Sequence, residues 1–232
     1  MNGADDRPGA GAASRVIIVA VMADAAAPRR GRPPRSAEER AVRRTALLDR
    51  VVAVIRRTGP EISLDEVAAG AGVSKPVLYG EFGSRVGLAD ALSLQWADRV
   101  QASVLQILGE AEEPGPGTIV HAIVDATLRL VEEENEVYRF IVRTMQADSR
   151  GLLDNPLVRV LHERTAPFVT AVAPALTPAE LGVLTDGVYG FMFAAIESWH
   201  DDMRLSREAM VAMTAGVIAE GLRTIAGRSV DP

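Results

Sequence analysis

The segment Ser63-Leu-Asp-Glu-Val-Ala-Ala-Gly-Ala-Gly-Val-Ser-Lys-Pro-Val-Leu-Tyr-Gly-Glu-Phe82 constrains this chain more than any other part of it. It reads as two short helices joined by a tight glycine turn, the outline of a helix-turn-helix. Leu64, Val67 and Ala68 share one apolar face, Gly72 supplies the backbone freedom the turn needs, and Val73 fills the angle between the helices. Ser74 stands at the cap of the second helix. Pro76 is tolerated only in a first turn, where its missing N–H costs nothing, so it locates the start of that helix independently. Leu78 and Phe82, four apart, face inward, whereas Lys75, Val77, Tyr79 and Gly80 face out.

Charge is distributed unevenly around this segment. The whole chain carries a net charge of -6, which by itself argues against a polyanionic partner. Between Pro28 and Arg57, however, ten Arg stand against three acids, a local balance of +7 that leaves -13 for the remainder. A basic end on an acidic body is expected where one end meets nucleic acid and the other does not. A solvated Arg-rich helix face is the plainer reading of the same charges.

The rest of the chain reads as helix. Hydrophobic residues make up 48% and aromatics only 4%, which favours helices over sheets, and the expected fold class is all-α. Ser36 with Glu39, Ser63 with Glu66 and Thr177 with Glu180 each have the spacing of a capping box, and Pro178 follows Thr177 at the first helical position. Helices are expected at about 37–57, 64–70, 75–81, 85–109, 118–134, 136–146, 156–173, 178–201 and 206–225. No repeat of about 20 to 50 residues is present, which excludes a solenoid. The expected organisation is a basic extension over 1–35, a helix-turn-helix domain over 36–84, and a helical body over 85–227.

Residues 1–35 mix Gly, Ala, Asp, Pro and Arg without a period and read as disorder. Arg15 followed by the apolar run Val16 to Met22 imitates a signal peptide but is too short to span a bilayer. Met22, which opens a polar, basic leader, is the expected alternative start of translation. The arm Pro28-Arg-Arg-Gly-Arg-Pro-Pro-Arg35 looks like an AT-hook core, in which Gly31-Arg32-Pro33 would lie flat in a narrow minor groove and flanking Arg, Arg30 among them, would hold phosphates. A merely solvated basic tail is the alternative.

The pattern Leu64, Val67-Ala68, Ala71-Gly72-Val73-Ser74, Leu78-Tyr79 and Phe82 resembles the TetR family of one-component transcriptional regulators. The resemblance covers roughly residues 40–100; farther on it extends only to helical layout. It implies Lys75 and Val77 at or near base edges in the major groove, and Ser63, Tyr79 and Arg85 at phosphates, with Ser74 at the DNA-facing helix end. The chemistry is compatible: lysine donates to guanine acceptors, and a valine methyl can touch a thymine methyl. Lys75 is the only lysine in the chain, the other 24 basic residues being Arg, although a chance draw would give the same count. Gly80 departs from the family, where a larger residue is common, so direct readout is expected to be thin and DNA shape to carry the balance.

For the body, the resemblance implies a homodimer built by the helices near 178–201 and 206–225. Gly187, Gly190, Phe191 and Ala194 are the interface candidates, although small-residue spacing is also ordinary helix packing. A pocket for an apolar or amphipathic effector is expected between the helices starting near Arg85, Thr118 and Pro156, closed by the 178–201 helix. Trp96, His121, Tyr138, Phe140, Met145, Phe168 and Met192 are candidate lining residues or plain core.

Enzyme chemistry finds no foothold. There is no cysteine, hence no disulfide and no thiolate metal site, and a reducing cytoplasm fits. His121, His162 and His200 lie far apart, without a zinc helix or a nucleophile elbow. Gly70-Ala-Gly72 lacks the strand and third glycine of a dinucleotide loop. No catalytic residue, cofactor, metal or membrane partner is expected. The expected partners are double-stranded operator DNA, a second copy of the chain and a small-molecule effector. A helical enzyme and an interaction module without DNA binding are the competing readings.

Overall fold

The computed structural model describes residues 35–110, 114–148, 156–200 and 204–227. Among these residues every regular element is a helix. In chain order they are α1 (Arg35–Thr58), α2 (Leu64–Gly70), α3 (Lys75–Phe82), α4 (Arg85–Glu110), α5 (Pro116–Glu133), α6 (Asn135–Ala147), α7 (Pro156–Val172), α8 (Pro178–His200) and α9 (Arg207–Ala226). They group into two compact units, one of residues 35–99 with 129–161, the other of 100–128 with 162–227.

In the first unit, α1 buries Leu47, Leu48, Val51, Val52, Val54 and Ile55, a stripe at three- and four-residue spacing. The stripe ends at Gly59, whose φ of +96° and bond from its N–H to the Ile55 carbonyl (2.8 Å) close the helix. Onto this stripe pack Val67 and Ala68 of α2, Leu78 and Phe82 of α3, and Leu88 and Leu92 of α4. One side of the same core comes from far along the chain: Val137, Phe140, Ile141 and Met145 of α6 complete it, Phe140 being fully buried. The packing therefore does not follow chain order, since α6 belongs with the helix-turn-helix.

A buried carboxylate ties this unit together. Glu134 precedes α6, is 1% exposed, and forms ion pairs with Arg56 of α1 and Arg99 of α4. Burial lowers the Arg99 pKa below its ordinary value. Arg56 and Arg99 are 49% and 41% exposed at their side chains, so losing the carboxylate forfeits charged hydrogen bonds rather than stranding a buried cation, at a cost of about 1–3 kcal/mol.

In the second unit, α8 opens with the expected capping box. The Thr177 N–H donates to the Glu180 carboxylate (2.8 Å) and the Glu180 N–H to the Thr177 hydroxyl (3.3 Å). The bond from the Thr177 backbone and, next, one from its hydroxyl to the same carboxylate (2.7 Å) hold the Glu180 pKa below its ordinary value. The Trp199 indole N–H donates to the Leu205 carbonyl (2.9 Å), and Ser206 caps α9 by accepting from the Ala209 N–H (3.3 Å). Arg207 pairs with Asp125 of α5, both largely buried. The Ser36–Glu39 box and the arm residues Arg30 and Arg32 involve groups outside the described residues.

Candidate nucleic-acid interface

The helix-turn-helix is built by its own backbone. Ser63 caps α2 with its hydroxyl accepting from the Glu66 N–H (3.3 Å), while its N–H donates to the Glu66 carboxylate (2.9 Å). The Ser63 hydroxyl also donates to that carboxylate (2.6 Å), and this bond, with the backbone one, lowers the Glu66 pKa. After α2 the Val73 N–H donates back to the Ala68 carbonyl (3.0 Å) and the Gly72 N–H to the Ala69 carbonyl (3.2 Å). With Gly72 at a φ of +68°, this is the paired-bond ending that reverses a chain at a left-handed residue. Val73 then packs against the core.

Ser74 occupies the cap position of α3, but through its backbone. Its carbonyl accepts from the Val77 N–H (3.0 Å) and the Leu78 N–H (3.2 Å), while its hydroxyl makes no capping bond. Pro76 falls in the first turn of α3, where its lack of an N–H removes nothing. Gly83, at a φ of +73°, ends the helix by donating to the Tyr79 carbonyl (2.7 Å).

The result is a helix with two distinct faces. Leu78 and Phe82 are buried, and Lys75, Val77, Tyr79 and Gly80 are exposed. Val77 is 52% and Tyr79 44% exposed, both on the outward face of this helix. The Lys75 ammonium is paired with Asp65 in the first turn of α2. Arg44 of α1 braces the far end by donating to the Glu81 carbonyl and carboxylate (2.8 Å each), with its guanidinium 4.8 Å over the Phe82 ring.

Arg85, expected at phosphate, is half-buried against the protein. Its Nε donates to the Thr144 hydroxyl (3.1 Å), and its terminal nitrogens donate to the carbonyls of Ile62 and Pro60, the latter at 2.6 Å. Desolvation lowers its pKa. It holds the loop before Ser63 against α6.

Comparison with known proteins decides what this head belongs to. Residues 47–92 match the family model described as bacterial regulatory proteins of the tetR family. An uncharacterised HTH-type transcriptional regulator of Mycobacterium tuberculosis is 27% identical over 206 residues, spanning 86% of this chain and 82% of that one. The helix-turn-helix is of the tetR type. Two solved TetR-type folds are similar throughout their length. AlkX from Dietzia sp., a repressor implicated in biodegradation of n-alkanes, shares 18% identity at a TM-score of 0.55, over 79% of this chain and 96% of that one. RolR in complex with resorcinol shares 20% at 0.58, over 84% and 98%. The chain is thus similar, over most of its length, to DNA-binding transcriptional regulators rather than to enzymes.

The second unit contains an apolar cavity walled by α5, α7, α8 and α9, with Val124, Phe168, Leu184, Val188, Met192 and Ile218 in its lining. Its polar side chains are occupied within the wall. Thr165 and Tyr189 share a hydroxyl bond (2.9 Å), and Thr185 donates to the Leu181 carbonyl (2.7 Å). Of the expected lining residues, Phe168 and Met192 meet here. Trp96, Tyr138, Phe140 and Met145 do not: they are buried in the first unit, where the Trp96 and Tyr138 rings stack at 5.6 Å, and His121 is exposed. Thr165, Tyr189 and the α9 residues went unnoticed because nothing in their local sequence separates a cavity wall from core.

The candidates on α8 lie on its outer side. Gly187, Phe191 and Ala194 are exposed and Gly190 is partly so, next to Val183 at 75% exposure. On α9, Met213 and Val217 are also exposed. Both helices are long and apolar enough to span a bilayer by length and composition.

Proposed function

We propose that this regulator is a homodimeric repressor that binds a palindromic operator and is released by a small apolar or amphipathic effector. The observation that carries the reading is the outward face of α3, where Lys75, Val77 and Tyr79 stand exposed on a helix locked from behind by Leu78 and Phe82. In this reading Lys75 and Val77 meet base edges, and Tyr79, with the α2 end capped by Ser63, meets phosphate. Arg85 acts by holding the Ser63 loop. The basic arm with Arg30 and Arg32 lies along the minor groove.

Dimerisation through α8 and α9 is supported by apolar side chains left exposed on both helices, which a second copy would cover. Two heads then address major grooves one helical turn apart. The cavity supports an apolar effector because its wall carries no charge and no unoccupied hydroxyl. The names of the similar proteins, one tied to n-alkanes and one bound to resorcinol, agree with a small, largely apolar compound. Release requires that effector to bind better to a state whose heads are poorly spaced for the operator. The continuous helix α4, which starts at Arg85 beside the head and runs into the second unit, is the lever in this reading.

Gel-shift titration on the DNA flanking the protein's own gene tests the assignment of α3. Lys75→Ala is expected to relax preference at one base position in each half-site, and Tyr79→Phe to weaken binding evenly across sequences. Unchanged operator affinity in both variants would refute it.

A further inference from the structure

Lys75 is the only lysine in the chain and the only cationic side chain of α3, yet its ammonium is held by a carboxylate. Its partner Asp65 sits in the first turn of α2, next to Glu66. The two acids divide the work: Glu66 closes the capping box with Ser63, whereas Asp65 has no part in that box and turns to Lys75. Lys75 and Asp65 are 61% and 49% exposed at their side chains, and an ion pair this open to water adds little to the stability of a fold. A carboxylate beside a surface that meets a polyanion also lowers affinity for every duplex alike. Neither stability nor raw affinity explains it.

Discrimination does. We propose that Asp65 is a specificity-determining residue which, through its ion pair, withholds the Lys75 ammonium from backbone phosphate and reserves it for a guanine. An ammonium has three N–H donors. With one donated to Asp65, two remain, and guanine offers two acceptors, O6 and N7, on its major-groove edge. The paired cytosine presents an N4 donor, which a carboxylate oxygen can accept, so the pair as a unit matches a G·C step. A phosphate offers no such complement: drawing the ammonium away leaves Asp65 unpaired against a second anion. The penalty falls on non-specific complexes, which is how discrimination arises from a repulsive element. The inference rests on the reading of Lys75 as a groove contact.

The test uses the full chain as wild type, Asp65→Asn, Lys75→Met and the double variant. Each is used to select from duplexes randomised over about 20 base pairs, enough for two half-sites one turn apart. Each is also titrated by fluorescence anisotropy, over a range of salt, on a mixed-sequence duplex lacking the selected motif. Asp65→Asn is expected to bind that duplex several-fold more tightly. One new phosphate contact per subunit should steepen its plot of log affinity against log salt by about 0.9 per subunit. The same variant should lose guanine preference at one position per half-site, and Lys75→Met should lose it at that position too. In the Lys75→Met background, Asp65→Asn should leave the motif and the salt slope unchanged and add only the small, sequence-independent gain from removing a negative charge. If Lys75→Met alters the selected motif while Asp65→Asn leaves motif and salt slope unchanged, Asp65 has no such role. If Asp65→Asn acts equally without Lys75, its effect is general repulsion and the inference falls. If Lys75→Met leaves the motif intact, the groove reading of Lys75 fails and the inference with it.

Discussion

The guanidinium of Arg85 lies 4.2 Å over the centroid of the Phe140 ring, joining the first residue of α4 to the middle of α6. Its nitrogens are spent on Thr144, Ile62 and Pro60, so the residue acts as an internal clamp on the loop that leads to Ser63. Lysine cannot reproduce that planar set of bonds. Arg85→Lys is expected to lower stability by about 1–3 kcal/mol, through buried carbonyls left without donors. Thermal unfolding checks the loss. In the charge-removing variant Arg85→Gln the salt slope of DNA binding should stay at the wild-type value, whereas a phosphate contact would remove about 0.9 per subunit.

Two glycines in the reading head differ in what a methyl group would meet. At Gly72 an added Cβ finds nothing within 4 Å, so Gly72→Ala carries only the cost of a left-handed backbone, about 1–2 kcal/mol. At Gly87, in the first turn of α4, the same atom would stand 2.0 Å from the Phe82 carbonyl oxygen, and backbone must move. Gly87→Ala is expected to be the more destabilising of the two by calorimetry. The reverse order would mean that α3 and α4 join differently.

Glu134→Gln removes the charge that Arg56 and Arg99 share. Both guanidiniums keep much of their hydration, so the expected loss is about 1–3 kcal/mol, enough at this chain length to lower the melting temperature by roughly 2 °C or more. A melting temperature within about 1 °C of wild type would show that the carboxylate is not the tie between α1 and α4.

Alkaline titration probes the cavity. Burial pushes the Tyr189 phenol from its ordinary 10 up to about 12, with the Thr165 hydrogen bond acting the other way. The folded protein therefore holds this proton more tightly than the unfolded chain. Its stabilisation is complete below pH 10 and is lost as the pH rises from 10 to about 12. Tyr189→Phe should flatten the fall of stability across that window by up to about 1.4 kcal/mol per pH unit. Urea unfolding at pH 9, 10.5 and 11.5 would show it, and parallel curves for the two proteins would contradict it.

The reading head was legible because its determinants are local. Ser63 with Glu66, Gly72 in its turn and Pro76 in a first turn lie within a few residues of the groups they satisfy, and the structure realises each of them. Ser74 shows the limit: its position was readable, but the choice between hydroxyl and carbonyl as the cap was not. Long-range packing left no such trace. An apolar stripe on α6 announces a buried face without saying which partner buries it, so Tyr138 and Met145 read equally well as cavity wall. Arg85 resembled a phosphate ligand because its acceptors, Pro60, Ile62 and Thr144, are 23 to 59 residues away. Glu134 carried no such signal: it stands in the acidic run Glu132-Glu133-Glu134-Asn135-Glu136, and nothing local separates it from its neighbours or pairs it with Arg56 and Arg99.

The most direct test of the account is a hydroxyl-radical footprint of the full protein on DNA flanking its own gene, taken at low and high salt. The account predicts two protected half-sites related by symmetry and about one helical turn apart, lost together as salt rises and lost with Lys75→Ala plus Val77→Ala at low salt. Protection that is absent at every salt concentration, or that persists unchanged in the double variant, would contradict the assignment of α3 as the element that reads DNA.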